Sequence, residues 1–171
     1  TGKARDPQTN QRLTDHQVDF KSNPLLASDK HIQSLKLTSL AKYFLKLEKE
    51  DCAEYLYKKS LTYSKMNLKN YAGLKTIYSK RENPSQLIQV MKLEMNAFNK
   101  YDDFVYELGT ELVATLTKAG KTSEAKSLQK SLVRKVEDRY DLAESATQNM
   151  VTSLYNNGKA KEGRRAFERY I

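Results

Sequence analysis

The chain has 171 residues, enough for one domain with a substantial hydrophobic core. Charged residues make up 30% of the sequence, the formal net charge is +9, and there are only six glycines and three prolines. This composition favours a mostly helical protein with a polar surface. It excludes a transmembrane helix, because no apolar run approaches roughly 20 residues. The single cysteine, Cys52, excludes an internal disulfide.

Residues 1–27 differ from the rest of the chain. They contain few aliphatic side chains, show no helical period and include Pro7 and Pro24. This pattern predicts an extended or flexible N-terminal arm. At Ser28, a predicted helix N-cap, a helical period begins, and residues 28–171 are predicted to form a helical repeat domain.

Two helical patterns joined by a short polar bend recur four times. The aligned segments begin at Leu40, Leu74, Leu112 and Met150, so the successive offsets are 34, 38 and 38 residues. The bends are predicted at the sequences LEKED, KRENPS, KAGKTS and NNGKAK. Such a period is typical of helical repeats, in which neighbouring pairs stack because one pair cannot bury its own apolar face.

The residues at the bends fit helix ends. Asn83 can cap a helix that begins at Pro84, and Gly120 and Gly158 suit a left-handed helix C-terminus. The Gly-Lys-Thr-Ser segment starting at Gly120 also raises the alternative of a phosphate-binding loop. That motif needs a glycine where Thr115 stands and a strand before it, so the bend is the better interpretation.

The aligned columns resemble the tetratricopeptide repeat (TPR), a helix-turn-helix motif of 34 residues. The residues that carry the resemblance are Leu40, Ala41, Phe44, Ala53, Tyr57, Ser60, Tyr71, Leu74, Tyr78, Leu112, Leu116, Gly120, Ala125, Leu154, Gly158, Gly163 and Phe167. Lys75 and Gln129 depart from it, since the family has a small residue and an aromatic there. The resemblance implies an all-α, right-handed superhelix of about four repeats, and a related helical-hairpin solenoid is the alternative.

Small and large residues alternate in these columns, which predicts their packing roles. Four small residues are expected to let helices approach closely: Ala41, Ala53, Ala125 and Gly163. Four aromatics are expected to fill the core between them: Phe44, Tyr57, Tyr78 and Phe167. Phe167, Tyr170 and Ile171 at the C-terminal end lack a following cover, which predicts an end that packs on a second copy, on the arm or on further residues.

No catalytic constellation is visible. Acidic residues such as Glu50 and Asp51 stand at helix starts, where the helix dipole explains them. Cys52 has no histidine partner at a recognisable spacing and is expected to be half-buried, while His16 and His31 are expected to be exposed. The sequence therefore predicts a non-enzymatic protein with no metal or cofactor.

The resemblance implies a concave groove, lined by the first helix of each repeat, that holds a peptide or helix of a protein partner. The candidate groove residues are Lys42, Thr76, Ser79, Thr110, Thr117, Gln148, Thr152 and Tyr155, with Thr38, Leu45, Ala72 and Ala114 beside them. This lining is rich in hydroxyls and suits hydrogen bonds with modest apolar contact. The alternative is that these are exposed polar residues of a spacer repeat.

Basic residues form two clusters. The first is the stripe Lys126, Lys130 and Arg134; the second is Lys159, Lys161, Arg164, Arg165 and Arg169. Such clusters fit a helical regulator that contacts nucleic acid or an acidic partner, and this is the alternative function. Nucleic acid is disfavoured because no recognition helix or RNA-binding motif accompanies the clusters.

The long polar arm, which begins without Met, resembles the tether of a bacterial lipoprotein whose lipidated cysteine lies outside this segment. Small repeat lipoproteins of this kind include pilotins and Tad-type assembly proteins of pilus and secretion systems. A periplasmic or outer-membrane lipoprotein is therefore one hypothesis for location, and a cytoplasmic protein is the other.

Overall fold

A computed structural model describes residues 24–135 and 140–168, and within them the chain is helical, without strands. A 3₁₀ helix at Pro24–Ala27 precedes eight α-helices. These are α1 (Asp29–Lys46), α2 (Glu50–Tyr63), α3 (Leu68–Lys80), α4 (Pro84–Ala97), α5 (Asp102–Lys118), α6 (Thr122–Lys135), α7 (Tyr140–Asn156) and α8 (Ala160–Glu168). The all-α prediction is confirmed. The chain divides into two compact units, unit 1 ending at Phe104 and unit 2 beginning at Val105.

The predicted arm falls mostly outside the described residues. Only its last four residues, Pro24–Ala27, are described, and they pack on α1 as the 3₁₀ helix. Within the described part of the chain, none of the helices combines the length and hydrophobicity that crossing a bilayer requires.

All four predicted bends are present and share one hydrogen-bond pattern. Each bend contains one residue with a left-handed backbone, and in chain order these are Glu48, Glu82, Gly120 and Gly158. In each bend the N–H of the next residue donates to the carbonyl five positions back, at 2.9–3.0 Å. This is the Schellman arrangement that ends helices. The left-handed residues are 34, 38 and 38 positions apart, as the sequence period predicted.

The predicted helix starts are confirmed where the structure shows a side-chain cap. Ser28 Oγ accepts a hydrogen bond from the His31 backbone N–H at 3.2 Å, and Asn83 Oδ1 accepts one from Gln86 N–H at 3.1 Å. Pro84 is the first residue of α4, where its missing N–H has no partner to lose.

The apolar core of unit 1 is rich in aromatic rings. Tyr57, Tyr71, Tyr78 and Phe98 are almost fully buried, as the aromatic columns predicted for Tyr57 and Tyr78. Gly73 of α3 lies directly under the Tyr57 ring, since a Cβ placed there would be 2.3 Å from Tyr57 Cζ. Absence of a side chain at this position therefore sets the distance between α2 and α3.

The small residues behave as predicted in both units. Ala41 and Ala53 have no exposed surface, and Ala125 and Gly163 are also buried. In unit 2, Gly109 of α5 lies against the end of the Leu132 side chain of α6. Close helix approach at small residues is thus a property of each unit.

A second buried layer in unit 1 is polar. Five side chains of α1, α2 and the start of α3 form it: Ser34, Thr38, Ser60, Asn67 and Asn70. Thr38 Oγ1 lies 2.6 Å from Asn70 Oδ1 and 2.8 Å from Asn67 Nδ2. Asn70 Nδ2 donates to Ser60 Oγ at 2.8 Å, and Ser60 Oγ lies 2.8 Å from Ser34 Oγ. Thr38, predicted in the groove, is instead part of this buried polar layer.

His31 extends the polar layer and corrects a second prediction. It is buried rather than exposed, and its Nδ1 lies 2.8 Å from Ser64 Oγ. Burial lowers the pKa of His31 below its ordinary value, because the charged ring would lose hydration. Sequence patterns could not predict this contact, since the partner hydroxyl is 33 residues away.

Three apolar or thiol side chains are more exposed than predicted. Leu40 is 45% and Phe167 is 50% exposed, and Cys52 is exposed as well. For Leu40 the reason is the polar layer: α1 turns its hydroxyl-bearing face toward α2 and α3, so the aliphatic face points outward. Phe167 belongs to the last described turn of α8; Tyr170 and Ile171 lie outside the described residues.

Ion pairs with Arg81 explain the acidic residues at the start of α2. The Arg81 guanidinium contacts Glu50, Asp51 and Glu54 of α2 at 2.7–3.1 Å, so these acids do more than meet the helix dipole. Hydrogen bonds from Lys80 and then Arg81 lower the pKa of Glu50.

Lys75, a departure from the family pattern, has a partner in α4. Its Nζ lies 2.9 Å from Oε2 of the buried Glu94. Burial, together with the charge of Glu94, raises the pKa of the neighbouring Tyr71 to about 12. The charged residue in a small-residue column is therefore accommodated by an ion pair between α3 and α4.

Candidate functional site

Unit 2 contains a groove of about 500 Å³ along α5 and α7. The side of α5 that lines it carries Tyr106, Thr110, Val113, Ala114 and Thr117. These positions recur every three or four residues, so one face of the helix presents them all.

The opposite wall comes from α7 and the floor from α6. The α7 wall carries Asn149, Thr152, Ser153 and Asn156. Leu132 of α6 reaches the floor, where it also packs against Gly109. The floor thus combines the apolar Leu132 with the amide of Gln129, and it lies between two walls that carry hydroxyl and amide groups.

The Thr110 and Thr117 hydroxyls of α5 can act as hydrogen-bond acceptors for a ligand, because each already donates its hydrogen within the helix. Thr110 Oγ1 donates to the Tyr106 carbonyl at 2.8 Å, and Thr117 Oγ1 donates to the Val113 carbonyl at 2.9 Å. Each hydroxyl has one hydrogen and two lone pairs, so both remain able to accept a bond from a bound group.

An amide bridge fixes the spacing of the two walls. Asn149 Nδ2 of α7 donates to Tyr106 Oη of α5 at 3.0 Å. Among the described residues that line the groove, Lys118 alone carries a charge, and it stands at the C-terminal end of α5. The groove is therefore largely neutral, with one positive end.

The structure brings together three of the eight predicted groove residues, namely Thr110, Thr117 and Thr152. Gln148 and Tyr155 are exposed on α7 but do not line this groove. Gln148 bonds to Glu144, and the Tyr155 ring lies over Gly163.

The remaining three predicted residues, Lys42, Thr76 and Ser79, lie in unit 1. They are exposed on α1 and α3, and the Thr76 hydroxyl donates to the Ala72 carbonyl at 2.9 Å. Leu45, expected beside Lys42, packs against the core of unit 1 instead. No observation tests the binding roles of these residues, which stay predictions.

Most of the lining residues were missed by the sequence reasoning, and for four of them the signal was present. Tyr106 and Val113 stand four before and three after Thr110, and Asn149 and Asn156 stand three before and four after Thr152. Residues at these spacings share one helix face. Extending each predicted threonine by one turn in both directions would have found them.

The described members of the basic clusters lie on the surface of unit 2, whereas Arg169 lies outside the described residues. Lys130 and Arg134 are exposed on α6, and Lys126 on the same helix faces Lys159 at the start of α8. The contact with Lys159 lowers the pKa of Lys126. Lys159 also pairs with Glu162 at 3.4 Å, so part of its charge is offset.

Within residues 24–135 and 140–168, no three His, Cys, Asp or Glu side chains are grouped to hold a metal ion. Comparison with known proteins gives no relative: no family model, curated protein or solved structure matches the chain. The resemblance to the TPR family therefore rests on the residues of the repeated columns and on the four shared bends.

Proposed function

We propose that the chain is a non-enzymatic, TPR-like helical-hairpin protein that binds a segment of a partner protein in the groove along α5 and α7. The observation that carries the proposal is the groove itself, in which Leu132 and Gln129 lie between walls of threonine and asparagine. Concave apolar surfaces with a few convergent polar groups are the usual sites for ligands and peptides.

The repeat architecture supports this reading without identifying the family. Four bends of one geometry, at offsets equal to the sequence period, are what a tandem array of helical hairpins would have. A right-handed superhelix of four such hairpins is part of the proposal.

The chemistry of the groove limits the segment that it takes. Lone pairs of Thr110 and Thr117 accept hydrogen bonds from peptide N–H groups, and the side-chain amides of α7 can pair with peptide carbonyls. Small apolar side chains fit the floor, and a carboxylate of the partner would lie at the Lys118 end. We therefore expect a short segment with small apolar residues and an acidic end.

Selection of displayed random peptides on the whole chain tests this proposal. The selected peptide is then titrated against wild type and against Thr152→Arg, which fills the groove. Gln148→Arg is the matched control, because it adds the same charge one turn away on α7 without lining the groove. We expect Thr152→Arg to weaken binding by about tenfold or more, and Gln148→Arg to leave it unchanged.

Circular dichroism must show equal helicity for both variants. Failure to select any peptide, or equal binding by Thr152→Arg and wild type, would contradict the proposal.

The basic surface is the second candidate. The approach of Lys159, which directly precedes α8, to Lys126 extends the basic stripe beyond α6, which would suit an acidic or nucleic-acid partner. Labelled single-stranded DNA and polyglutamate serve as probes. Tight, salt-sensitive binding that Lys126→Glu with Lys130→Glu removes would favour this candidate over the groove.

The cellular setting is a separate proposal. A pilus- or secretion-assembly lipoprotein would place the groove beside the segments of an assembling complex. Its test is the sequence that precedes this segment, where an apolar signal ending in a small-residue box and a cysteine is expected.

A further inference from the structure

The outer face of α1, in unit 1, carries an exposed apolar surface. Five large side chains on α1 and its C-terminal cap are between 37% and 56% exposed: Ile32, Leu35, Leu40, Tyr43 and Leu47. They face outward because the opposite side of the helix carries the buried polar layer of Ser34 and Thr38. The face is thus unpartnered by the described residues, whereas the inner face is fully engaged.

Lysines lie within this face rather than only at its border. Lys36 is one turn after Ile32 and two turns before Tyr43, and Lys46 is one turn after Tyr43, so both project among the apolar side chains. Lys42 stands at the edge. Among the described residues, no carboxylate forms an ion pair with any of the three. Asp29, in the first turn, is the single acid of α1.

We propose that this face binds an acidic amphipathic helix of a partner protein, at a site separate from the groove of unit 2. Leucine or isoleucine side chains of the partner, spaced by three and four residues, would cover Ile32, Leu40 and Tyr43. Glutamate or aspartate side chains beside them would pair with Lys36 and Lys46. Both the apolar contact and the charge of the face are then matched by one occupant.

A bilayer fits the same face less well. Interfacial helices bury an unbroken apolar side and keep their lysines on the polar side. Here Lys36 and Lys46 would enter the membrane together with Ile32 and Tyr43. Lysine at membrane depth is unfavourable unless its stem reaches back to the surface, whereas a protein helix can place a carboxylate opposite each ammonium.

A second copy of the chain also fits poorly. In a twofold dimer the same surface meets itself, so the lysines of one copy would face those of the other. In an antiparallel twofold contact, Asp29 of one copy would meet Lys46 of the other, but Lys36 and Lys42 of both copies would still have no acid of α1 to offset them. The charge of the face therefore selects a partner of opposite charge.

Two synthetic amphipathic helices serve as probes in the experiment. They have the same leucine face, flanked by glutamate in one peptide and by lysine in the other, and both are titrated against the whole chain by fluorescence anisotropy. We expect wild type to bind the glutamate peptide at least about tenfold tighter than the lysine peptide. Lys36→Glu with Lys46→Glu should reverse this preference, and Leu40→Ser with Tyr43→Ser should weaken both complexes.

The matched control is Lys65→Glu with Lys69→Glu, which changes the net charge equally at exposed positions of unit 1 outside this face. It should keep the preference of wild type. A preference that survives reversal at Lys36 and Lys46, or absence of binding by wild type, would overturn the proposal. Tighter binding to anionic phosphatidylglycerol vesicles, or dimerisation that Leu40→Ser with Tyr43→Ser abolishes, would overturn it in favour of a membrane or a second copy.

Discussion

The interior of unit 1 differs from that of unit 2 in how its helices are joined. In unit 1, α1, α2 and the start of α3 meet through buried hydroxyls and amides, with Thr38 and Asn70 2.6 Å apart. In unit 2, Leu132 of α6 packs against Gly109 of α5, and Leu112 and Leu116 of α5 are almost fully buried. A polar interior holds only if each group keeps its partner, while leucine contacts tolerate small adjustments. Unit 1 should therefore be the more sensitive to single-atom changes.

The two units also differ at their bends. Glu48 and Glu82 hold the left-handed position in unit 1, whereas Gly120 and Gly158 hold it in unit 2. Glycine adopts that backbone without strain, and other residues lose roughly 1–2 kcal/mol there. The bend geometry is thus imposed by the helix pair rather than by the residue at its centre.

Thr38→Val is expected to have the largest effect on unit 1. It keeps the shape of the side chain but leaves Asn67 Nδ2 and Asn70 Oδ1 without the Thr38 hydroxyl, so unfolding free energy should fall by about 2–3 kcal/mol. Thr76→Val is the control, because its hydroxyl also bonds one turn back but is exposed. It should stay within about 0.5 kcal/mol of wild type in urea denaturation. Equal effects of the two changes would show that the polar layer is not stabilising.

Two matched glycine substitutions compare the helix contacts of the two units. Gly73→Ala places a methyl group against the immobile Tyr57 ring, and the loss in unfolding free energy should be about 1–3 kcal/mol despite the better helix propensity of alanine. Gly109→Ala meets only the end of the Leu132 side chain, which can rotate, so it should stay within about 1 kcal/mol of wild type. Thermal denaturation of both variants gives the order, and the reverse order would contradict this account of the contacts.

Exchange of the residues at two bends should produce opposite effects of similar size. Glu82→Gly removes left-handed strain at φ 50° and should stabilise the protein by up to about 1 kcal/mol, since the greater freedom of glycine in the unfolded chain offsets part of the gain. Gly120→Glu introduces the strain at φ 75° and should destabilise it by about 1 kcal/mol. Denaturation midpoints that move in the same direction for both variants would refute the comparison.

The smallest expected effect is the pH dependence that His31 adds. Its pKa in the folded chain lies below the ordinary value of 6.5, so the unfolded chain binds the proton more readily. The contribution of His31 to the free energy of unfolding is therefore complete above about pH 6.5, and it falls as the pH drops toward the pKa of the folded chain. Urea denaturation at about pH 7.5 and about pH 5.5 measures this loss. His31→Gln should reduce the difference between the two values, and an unchanged difference would assign it to other groups.

The sequence period predicted the bends and the small-residue contacts because both depend on local rules. A helix that ends in this way needs a residue with a left-handed backbone, and the glycines Gly120 and Gly158 predicted where two of the helices end. The bend at Glu48 was predicted only from its alignment with those two bends. The period failed on α1, where it placed Leu40 inward and Thr38 in a groove. Hydrophobic patterning assumes that apolar residues face the core. Thr38 can be buried because its hydroxyl is hydrogen-bonded to Asn67 and Asn70, which belong to a different helix pair.

Part of the candidate groove was also predictable. Thr110, Thr117 and Thr152 were found from the column match, since a helix face can be read from spacing alone. Spacing alone does not show which side of α7 faces α5. Gln148 and Tyr155 were therefore included in the prediction, although neither lines this groove. Rotation of a helix about its axis depends on packing, here on the Asn149–Tyr106 bridge.

The most direct test of the proposed function is a nuclear magnetic resonance titration of the ¹⁵N-labelled chain with the selected peptide. We expect the shifted amides to lie along α5 around Thr110 to Thr117 and along α7 around Asn149 to Asn156. The outer face of α1, around Ile32 and Tyr43, should not respond to this peptide. Shifts confined to α1, or to the lysines of α6, would contradict the groove as the binding site.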